Sequence, residues 1–533
     1  MTIKKVPTKH TIENLVTPEG HTEPVYAGRP RNLGQLLDAT ANRHARQEGF
    51  AGGETRMSYG QIGEAVGNLA SSLHRRHGID RGDRVVLMLR NGAEFVLSFF
   101  ALARLGAIAV PLNTALKGEE LAFQVQDSGA ALVITEPEFS DLMTGAASGA
   151  ENVKGVVVTG GTPPGAVPFA RLLQPAERPS PPAAVSEDDA AVLMYTSGTT
   201  GKPKGALLTH KGIIASAMSA AELCALRPGH DRMLVVAPLF HITGLAMNLS
   251  SAVYKGVPAV FVRKYKTADV LKTIQDQKIT AMFAVPTILW LMLNAPEFGD
   301  YNLASLRVMA SGGAATPDDL LRCCAARLPG AQLKPGYGLT EACGMTHSTA
   351  SIEEALGRPG SSGLPLPVVD SMIAGADGKE MPPGKAGELL IRGCQVMKGY
   401  WKNPEATRET LVDGWLHTGD VALVNEDGHY YICDRLKDMI IRGGENIYSL
   451  EVENVLYRHP AVLEAAVVGV PDPVFGEQVK AVLVLRPGQK AAGEEIQEFC
   501  EQHLARYKVP KYVEFRDALP RNPAGKIIKG DLR

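Results

Sequence analysis

The chain reads Tyr195-Thr196-Ser197-Gly198-Thr199-Thr200-Gly201-Lys202-Pro203-Lys204-Gly205 directly after the apolar run 190–194. The apolar run is typical of a buried strand. Glycines allow close backbone approach, main-chain N–H groups and hydroxyls surround phosphate oxygens, and lysine adds positive charge. The stretch therefore predicts a polyphosphate-binding loop, although a solvated turn has the same composition. It is not a Walker A loop, because only two residues separate Gly198 from Gly201 and Pro203 follows Lys202.

The order of these residues resembles the phosphate-binding loop of the ANL superfamily of adenylate-forming enzymes. That superfamily comprises acyl-CoA synthetases, adenylation domains of peptide synthetases and beetle luciferases. The resemblance implies ATP and AMP binding by Thr196, Ser197, Gly198, Thr199, Thr200, Gly201 and Lys204.

The composition is that of a globular protein with more than one domain. A length of 533 residues exceeds the usual single domain, and 45% hydrophobic with 21% charged residues is ordinary. The net charge is −2, so no basic field favours nucleic acid or an anionic membrane as partner. Seven scattered cysteines without a C-x-x-C pair favour a reducing compartment over disulfides or zinc.

No targeting or membrane segment is evident. Residues 1–15 lack an apolar signal core, and the last three residues are not a peroxisomal signal. The apolar stretch 95–111 contains Arg104 and Gly106 and is too short for a bilayer, so it predicts a buried helix running into a strand. We therefore expect a cytoplasmic protein without an integral membrane segment.

Helical and strand-like patterns alternate along most of the chain. Helical periodicity occurs at 33–46, 59–77, 93–105 and 118–128, and strand-like runs occur at 84–89, 107–112, 131–135, 234–237, 259–262, 281–285 and 308–311. This alternation predicts parallel sheets covered by helices. Seven prolines within 160–186 predict an irregular surface crossing.

The last third of the chain has a different pattern. Short strands and turns occupy 386–433, and a compact unit follows with helices at 450–459 and 493–504 and strands at 462–470 and 478–485. We predict an α/β fold with a large N-terminal domain of parallel-rich sheets covered by helices, a β-rich subdomain, and a small mobile α+β C-terminal domain. By the resemblance, residues 1–436 bind ATP and the acid, and residues 437–533 form a rotating cap that carries the catalytic lysine.

Two further motifs match the family's acyl and adenine pockets. The first motif is Pro238-Leu239-Phe240-His241-Ile242-Thr243-Gly244. Without the resemblance, His241 would be read as a core histidine. The resemblance implies instead that it shapes the junction of the acyl pocket and the pantetheine channel. Ser311-Gly312-Gly313-Ala314 alone would be a strand-to-helix turn. The resemblance implies that Gly312 lines the acyl pocket and that Gly313 and Ala314 contact the nucleotide.

A third motif carries the predicted metal ligand. In Tyr337-Gly338-Leu339-Thr340-Glu341, an aromatic ring suits adenine stacking, a hydroxyl suits phosphate, and one carboxylate with substrate phosphates is the usual way in which Mg²⁺ is bound. The family assigns these roles to the positions of Tyr337, Thr340 and Glu341, with Gly338 beside them. Pro335 departs from the family, where many members have Gln, so no adenine contact is assigned there.

The remaining motifs lie nearer the C-terminus. A carboxylate accepts one O–H on each oxygen and suits a vicinal diol; the resemblance assigns Asp420 and Arg435 to the ribose. It also implies a hinge at Lys437, a pantetheine-tunnel loop at Gly443 and Gly444, and a catalytic lysine at Lys526. Read alone, these segments would be charged or glycine-rich turns and a solvated lysine.

By resemblance to aryl-CoA ligases of this family, Phe475, Tyr507 and Lys508 are candidates for the nucleotide end of CoA, which needs an aromatic face for its adenine and positive charge for its phosphates. The alternative is that both rings are packing residues. Some family members carry an arginine where Val474 stands here.

The predicted reaction is a two-step acid:CoA ligation. Carboxylate and ATP give acyl-AMP and pyrophosphate, and CoA then displaces AMP. The expected cofactor is Mg²⁺, with ATP, a carboxylic acid and CoA as small-molecule substrates and a homodimer as a possible assembly. A fatty acid, of medium or long chain, and an aryl-type acid both fit, and the apolar stretches 245–249 and 283–293, without an evident counter-charge for a second carboxylate, favour the acyl chain. Alternatives are an adenylation enzyme that loads a carrier protein, a luciferase-like oxygenase and a non-catalytic nucleotide-binding regulator. The absence of a carrier segment favours CoA, and the retained Lys526 and Glu341 favour an enzyme.

Overall fold

The computed structural model describes residues 4–17, 20–53, 55–161, 165–175, 183–196, 203–521 and 527–533. They form two compact units. The first comprises residues 1–371 and 391–416, and the second comprises residues 372–390 and 417–533.

Two large sheets, both rich in parallel pairs, build the first unit, as the strand–helix alternation predicts. The strands of the eight-stranded sheet are, in spatial order, Gly399–Tyr400, Lys204–Thr209, Ala190–Thr196, Ile108–Pro111, Arg84–Met88, Leu132–Thr135, Val156–Val158 and Val167–Pro168. Those of the nine-stranded sheet are Leu364–Pro365, Gly344–Ser348, Gln332–Leu339, Val308–Ser311, Ala281–Ala284, Met233–Val235, Ala259–Phe261, Glu48–Gly52 and Thr55–Ser58. Antiparallel pairs stand at both edges of the nine-stranded sheet and at the Gly399–Tyr400 edge of the eight-stranded sheet.

The helices of the first unit connect and cover these strands. They are Leu33–Arg43, Tyr59–His77, Ala93–Leu105, Gly118–Ser128, Ser140–Ser148, Phe169–Leu172, His210–Leu223, Ser251–Lys255, Thr267–Gln277, Pro286–Leu293, Asp318–Arg327, Ile352–Gly357 and Pro404–Thr410. The helix Ala93–Leu105 is buried on nearly all sides and leads into the strand Ile108–Pro111, as predicted. Among the described residues, no helix has both the length and the apolar character needed to cross a bilayer.

The second unit contains an antiparallel-rich sheet. Its strands are Glu445–Ile447, Ile440–Arg442, Gly476–Leu485, Val462–Asp472 and Tyr512–Phe515, and its helices are Ser449–Leu456 and Gly493–Glu501. A further sheet has the strands Asp370–Ala374, Gly387–Arg392, Trp415–Val424, Leu411–Val412 and Tyr430–Arg435. The division between the two units falls inside three of these strands, after Ser371, Leu390 and Leu416.

Several elements differ from the sequence predictions. The helix expected at 33–46 ends at Arg43, where the N–H of His44 caps the carbonyl of Thr40. Within the proline-rich crossing, a two-residue strand and the short helix Phe169–Leu172 form, because Pro168 already has the extended backbone of an N-cap. A hairpin of Ile12–Val16 and Thr22–Tyr26 and a π-helix at Thr243–Ser250 were not predicted.

Candidate active site

Part of the predicted site lies outside the described residues. These are Ser197, Gly198, Thr199, Thr200 and Gly201 of the phosphate loop, and the catalytic lysine Lys526.

The two ends of the predicted phosphate loop are held side by side. Ala190–Thr196 and Lys204–Thr209 are antiparallel neighbours, with Thr196 opposite Lys204, and the Thr196 hydroxyl donates to the carbonyl of Lys204 at 3.3 Å. The Tyr195 hydroxyl donates to Oδ2 of Asp127 at 2.6 Å. Burial raises the pKa of Tyr195, so this hydroxyl stays protonated as a donor. The strands therefore position both described ends of the loop.

Glu341 lies beside this hairpin. It stands in a single 3-10 turn, Thr340–Ala342, and its carboxylate is partly exposed. Its Oε1 accepts the hydroxyl of Tyr400 at 3.0 Å, and Oγ1 of Thr196 lies 3.5 Å from the same oxygen. The ammonium of Lys204 lies 5.2 Å from the centroid of the Tyr400 ring. The structure thus brings Thr196 next to the Glu341 carboxylate, and Tyr400 lies between that carboxylate and the ammonium of Lys204.

Tyr400 is a site residue that the motif analysis missed. It follows Gly399 at the edge of the eight-stranded sheet and is partly exposed. The only sequence signal is an aromatic pair, Tyr400-Trp401, inside a segment that otherwise reads as polar turns.

The predicted adenine segment is a strand, Gln332–Leu339, that is antiparallel to Gly344–Ser348. A Cβ atom on Gly338 would lie 2.0 Å from the carbonyl oxygen of Gly344, so glycine is needed for the close approach of these strands. The partly exposed Tyr337 ring lies 5.9 Å from the buried ring of His347. Burial lowers the pKa of His347 to about 3, so its imidazole is neutral.

Gly312, Gly313 and Ala314 form the turn that follows the strand Val308–Ser311. Gly313 has a φ of +83°, a conformation that favours glycine. A Cβ atom on Gly312 would lie 3.6 Å from Cε of Met345. The turn predicted from the sequence is therefore present, with a thioether beside its first glycine.

His241 precedes the π-helix Thr243–Ser250, and its ring lies 4.7 Å from that of Phe240. Burial lowers the pKa of His241 to about 4, which makes the imidazole neutral at neutral pH. A Cβ atom on Gly244 would lie 2.2 Å from the carbonyl oxygen of Pro238, so this turn requires glycine. A neutral imidazole suits a residue that shapes a cavity.

In the second unit the two predicted ribose residues form an ion pair. Asp420 and Arg435 are register partners on neighbouring strands, and Nε of Arg435 lies 2.8 Å from Oδ1 of Asp420. Asp420 is buried, whereas Arg435 is partly exposed. Two residues further on, the carbonyl of the predicted hinge Lys437 accepts a hydrogen bond from Arg533 at 3.1 Å.

A buried polar cluster next to Arg435 was also missed. Asp434 accepts the hydroxyl of Ser449 at 2.9 Å, and Lys529 donates to that hydroxyl at 2.6 Å and pairs with Glu453 at 2.7 Å. Burial raises the pKa of both carboxyl groups, and Lys529 opposes that shift in each. No local pattern marks these residues, because Asp434 and Lys529 are far apart in sequence.

The candidates for the CoA nucleotide have contrasting surroundings. Phe475 is 42% exposed, and the guanidinium of Arg442 lies 4.5 Å from its ring centroid. Lys508 makes two hydrogen bonds of 2.7 Å with the carboxylate of Glu451, and Tyr507 packs against the apolar core of the second unit. The exposed Phe475 ring therefore has the guanidinium of Arg442 beside it, whereas the ammonium of Lys508 is already paired with Glu451. Gly443 adjoins Phe475, since its N–H donates to the Phe475 carbonyl at 2.8 Å, and both Gly443 and Gly444 have positive φ.

The donor set at Glu341 fits Mg²⁺. The hydroxyl oxygens of Thr196 and Tyr400 lie within 3.5 Å of its carboxylate, and oxygen is the ligand atom that Mg²⁺ prefers. Within the described ranges, no group of three or more His, Cys, Asp or Glu side chains could hold a metal by itself. This arrangement agrees with a cation bound by one carboxylate together with substrate phosphates.

The sequence matches two families, described as AMP-binding enzyme over residues 37–401 and as AMP-binding enzyme C-terminal domain over residues 451–526. It is 40% identical to a feruloyl-CoA synthase from an Amycolatopsis species over 93% of this chain and 95% of the relative. It is 36% identical to a long-chain-fatty-acid–CoA ligase of Mycobacterium tuberculosis over 94% and 98%. The fold matches the Bacillus subtilis o-succinylbenzoate coenzyme A synthetase, solved with ATP and magnesium ion, with a TM-score of 0.82, 32% identity and coverage of 95% and 99%.

Proposed function

We infer the reaction from one premise, that this chain belongs to the AMP-binding enzymes of the ANL superfamily. It is an ATP-dependent acid:CoA ligase, which forms acyl-AMP and pyrophosphate and then acyl-CoA and AMP. ATP and CoA are its substrates, and Mg²⁺ is its cofactor.

We propose that the acid is an apolar monocarboxylic acid, either aryl-type or a medium- or long-chain fatty acid. One observation carries this proposal: methionine side chains lie against glycines of the two paired strands Gln332–Leu339 and Gly344–Ser348, the first of which carries the predicted adenine segment. Cβ atoms on Gly336 and Gly344 would lie 2.8 Å from Met345 and 3.1 Å from Met247. Flexible, polarizable thioethers adapt to apolar ligands of different shape. The feruloyl-CoA synthase and the fatty-acid ligase among the relatives support the same class.

For the first step we propose that the chain's own residues bind and orient the two anions. Glu341 would hold Mg²⁺, whose chemistry is to neutralise charge on the phosphate oxygens. The loop from Thr196 to Lys204 and the Thr340 hydroxyl bind phosphate, Tyr337 stacks on adenine, and Asp420 accepts the ribose hydroxyls. Lys526 brings its positive charge to the carboxylate and the α-phosphate. Positioning and electrostatic stabilisation account for such a step.

For the second step we propose that the C-terminal residues rotate about Lys437, so that pantetheine reaches the acyl-AMP. A change of backbone torsion confined to a few residues is typical of a hinge. The loop of Gly443 and Gly444 borders the channel, and the neutral imidazole of His241 shapes its junction with the acyl pocket.

The second candidate is an adenylation enzyme that loads a carrier protein. It shares every residue used up to acyl-AMP. The exposed Phe475 ring beneath the guanidinium of Arg442 favours CoA, because it offers an aromatic face and a cation to a nucleotide with phosphates.

ATP–pyrophosphate exchange over a panel of aryl, fatty and dicarboxylic acids tests the first step, and thioester formation with CoA tests the second. We expect exchange with one apolar class and turnover with free CoA. Exchange only with dicarboxylic or amino acids would refute the acid class. Exchange without any CoA turnover would move the assignment to the carrier-loading enzyme.

The CoA subsite is tested by Phe475→Ala and Lys508→Ala. Either variant should raise the KM for CoA while the KM values for ATP and acid stay unchanged. The paired charge of Lys508 predicts the smaller effect there. An unchanged KM for CoA in both variants would show that these residues do not form the CoA nucleotide subsite.

We also propose a cytoplasmic location and a homodimer. The seven cysteines, all free thiols, support a reducing compartment. Light scattering of the purified chain tests the dimer, and fractionation of the source cells tests the location.

A further inference from the structure

Tyr400 connects two parts of the first unit that the proposed function uses together. Its hydroxyl donates to Oε1 of Glu341 at 3.0 Å, and its ring lies 5.2 Å from the ammonium of Lys204. The distance between the Lys204 ammonium and the Tyr400 ring is within the range of a cation–π interaction. The Tyr400 side chain thus contacts both the predicted metal ligand and a lysine of the predicted phosphate loop.

Backbone hydrogen bonds fix the place of this side chain. Tyr400 and Gly399 pair with Ala206 and Leu207 of the strand that follows the phosphate loop. The N–H of Trp401 donates to the carbonyl of Gly205 at 2.7 Å, and the N–H of Tyr400 donates to the Thr407 hydroxyl at 2.9 Å. Tyr400 is therefore rigidly attached to the strand that carries Lys204.

The same segment is also bonded to the backbone of Glu341. The N–H of Met397 donates to the Glu341 carbonyl at 2.7 Å. Glu341 is consequently held at its main chain by Met397 and at its carboxylate by Tyr400. A carboxylate has about four acceptor positions, so the hydrogen bond from Tyr400 and the longer contact from the Thr196 hydroxyl orient it and leave capacity for a cation.

We propose that Tyr400 is a positioning residue for Mg²⁺ and ATP, an inference that rests on the proposed function. Its hydroxyl orients the Glu341 carboxylate, and its ring holds the Lys204 ammonium at a fixed distance from that carboxylate. Neither group then has to be ordered when the charged phosphates arrive, which is the benefit of preorganisation.

The test is Tyr400→Phe, which removes the hydroxyl and keeps the ring beside Lys204. The Mg²⁺ concentration for half-maximal ATP–pyrophosphate exchange should rise roughly tenfold, the loss expected for one hydrogen bond to a charged group. Calorimetric titration without acid should show weaker binding of ATP with Mg²⁺ and unchanged binding of ATP in EDTA. Thioester formation from supplied acyl-AMP should stay within about twofold. Tyr265→Phe is the matched control, because that tyrosine is 37% exposed and its hydroxyl contacts only the neutral Thr267 hydroxyl among the hydrogen bonds described.

A double-mutant cycle with Glu341→Gln separates orientation from a general effect on folding. If Tyr400 acts through the carboxylate, adding Tyr400→Phe to Glu341→Gln should change the Mg²⁺ dependence little. A wild-type Mg²⁺ dependence in Tyr400→Phe, a lower kcat with unchanged Mg²⁺ dependence, or additive effects in the cycle would each overturn the inference. If the wild type shows no ATP–pyrophosphate exchange with any acid of the panel, the proposed function itself fails. That outcome is distinct from failure of the inference about Tyr400.

Discussion

Replacing Lys529 by methionine should destabilise the second unit far more than replacing a lysine in a surface ion pair. Lys529 pairs with Glu453, whose side chain is 9% exposed, and bonds to Ser449, which in turn donates to the buried Asp434. Lys529→Met keeps the length of the side chain and removes its charge. Two buried carboxyl groups then lose the cation that lies nearest to them.

The structure sets the size of the effect. Breaking a buried ion pair by removing one partner costs about 3–5 kcal/mol, and the 18% exposure of the Lys529 side chain places the expected cost at the lower end, about 3 kcal/mol. Lys480→Met is the matched control, since Lys480 is also 18% exposed but pairs with Glu514, which is 36% exposed. A partner of that exposure is hydrated after the change, so the expected cost is about 0.5 kcal/mol.

The assay is urea unfolding of the full chain, followed by hydrogen exchange in the strands Val462–Asp472 and Gly476–Leu485. It gives the free energy of unfolding of the second unit for both variants.

The pH dependence of that free energy provides a second test. Burial raises the pKa of Asp434 and Glu453 above their unfolded values, so these carboxyls become neutral in the folded state as pH falls. The loss of unfolding free energy in Lys529→Met should therefore become smaller as the pH is lowered toward 5. Equal costs for the two variants, or a deficit that grows at low pH, would refute the reasoning.

Three further predictions concern the reaction and the buried histidines. Lys526→Ala should lower acyl-AMP formation by several orders of magnitude while thioester formation from supplied acyl-AMP survives; equal loss of both would mean that its role is misassigned. Lys437→Pro fixes φ and obstructs rotation, so single-turnover rates should show normal adenylation and impaired thioester formation, whereas wild-type rates for both would remove the hinge. Burial lowers the pKa of His210 to about 4 and of His347 to about 3, so each contributes stability that is complete above the unfolded value of about 6.5 and is lost as pH falls below it. Urea titrations should show a loss of roughly 1 kcal/mol of unfolding free energy per pH unit for each histidine between pH 6 and 4, and His347→Gln should reduce that slope.

Local signals were enough to determine several elements from the sequence. The helix Tyr59–His77 begins and ends where predicted, because Ser58 and Gln61 form a capping box and Gly78 takes the left-handed conformation that ends it. The strand followed by a turn at Gly312 is predicted by the same short-range logic. These features depend on residues a few positions apart, which a sequence displays directly.

Tertiary structure alone decided which side chains meet. Tyr400 reaches Glu341 across 59 residues, and Lys508 reaches Glu451 across 57. Lys529 and Ser449 meet across 80. Such contacts depend on strand pairing and burial, which bring distant residues together without any periodicity in the sequence that could reveal them. The sequence thus determined the family, the order of motifs and the kind of chemistry, whereas only the packed sheets decided that Tyr400 orients toward Glu341 and that the charge of Lys508 is already paired.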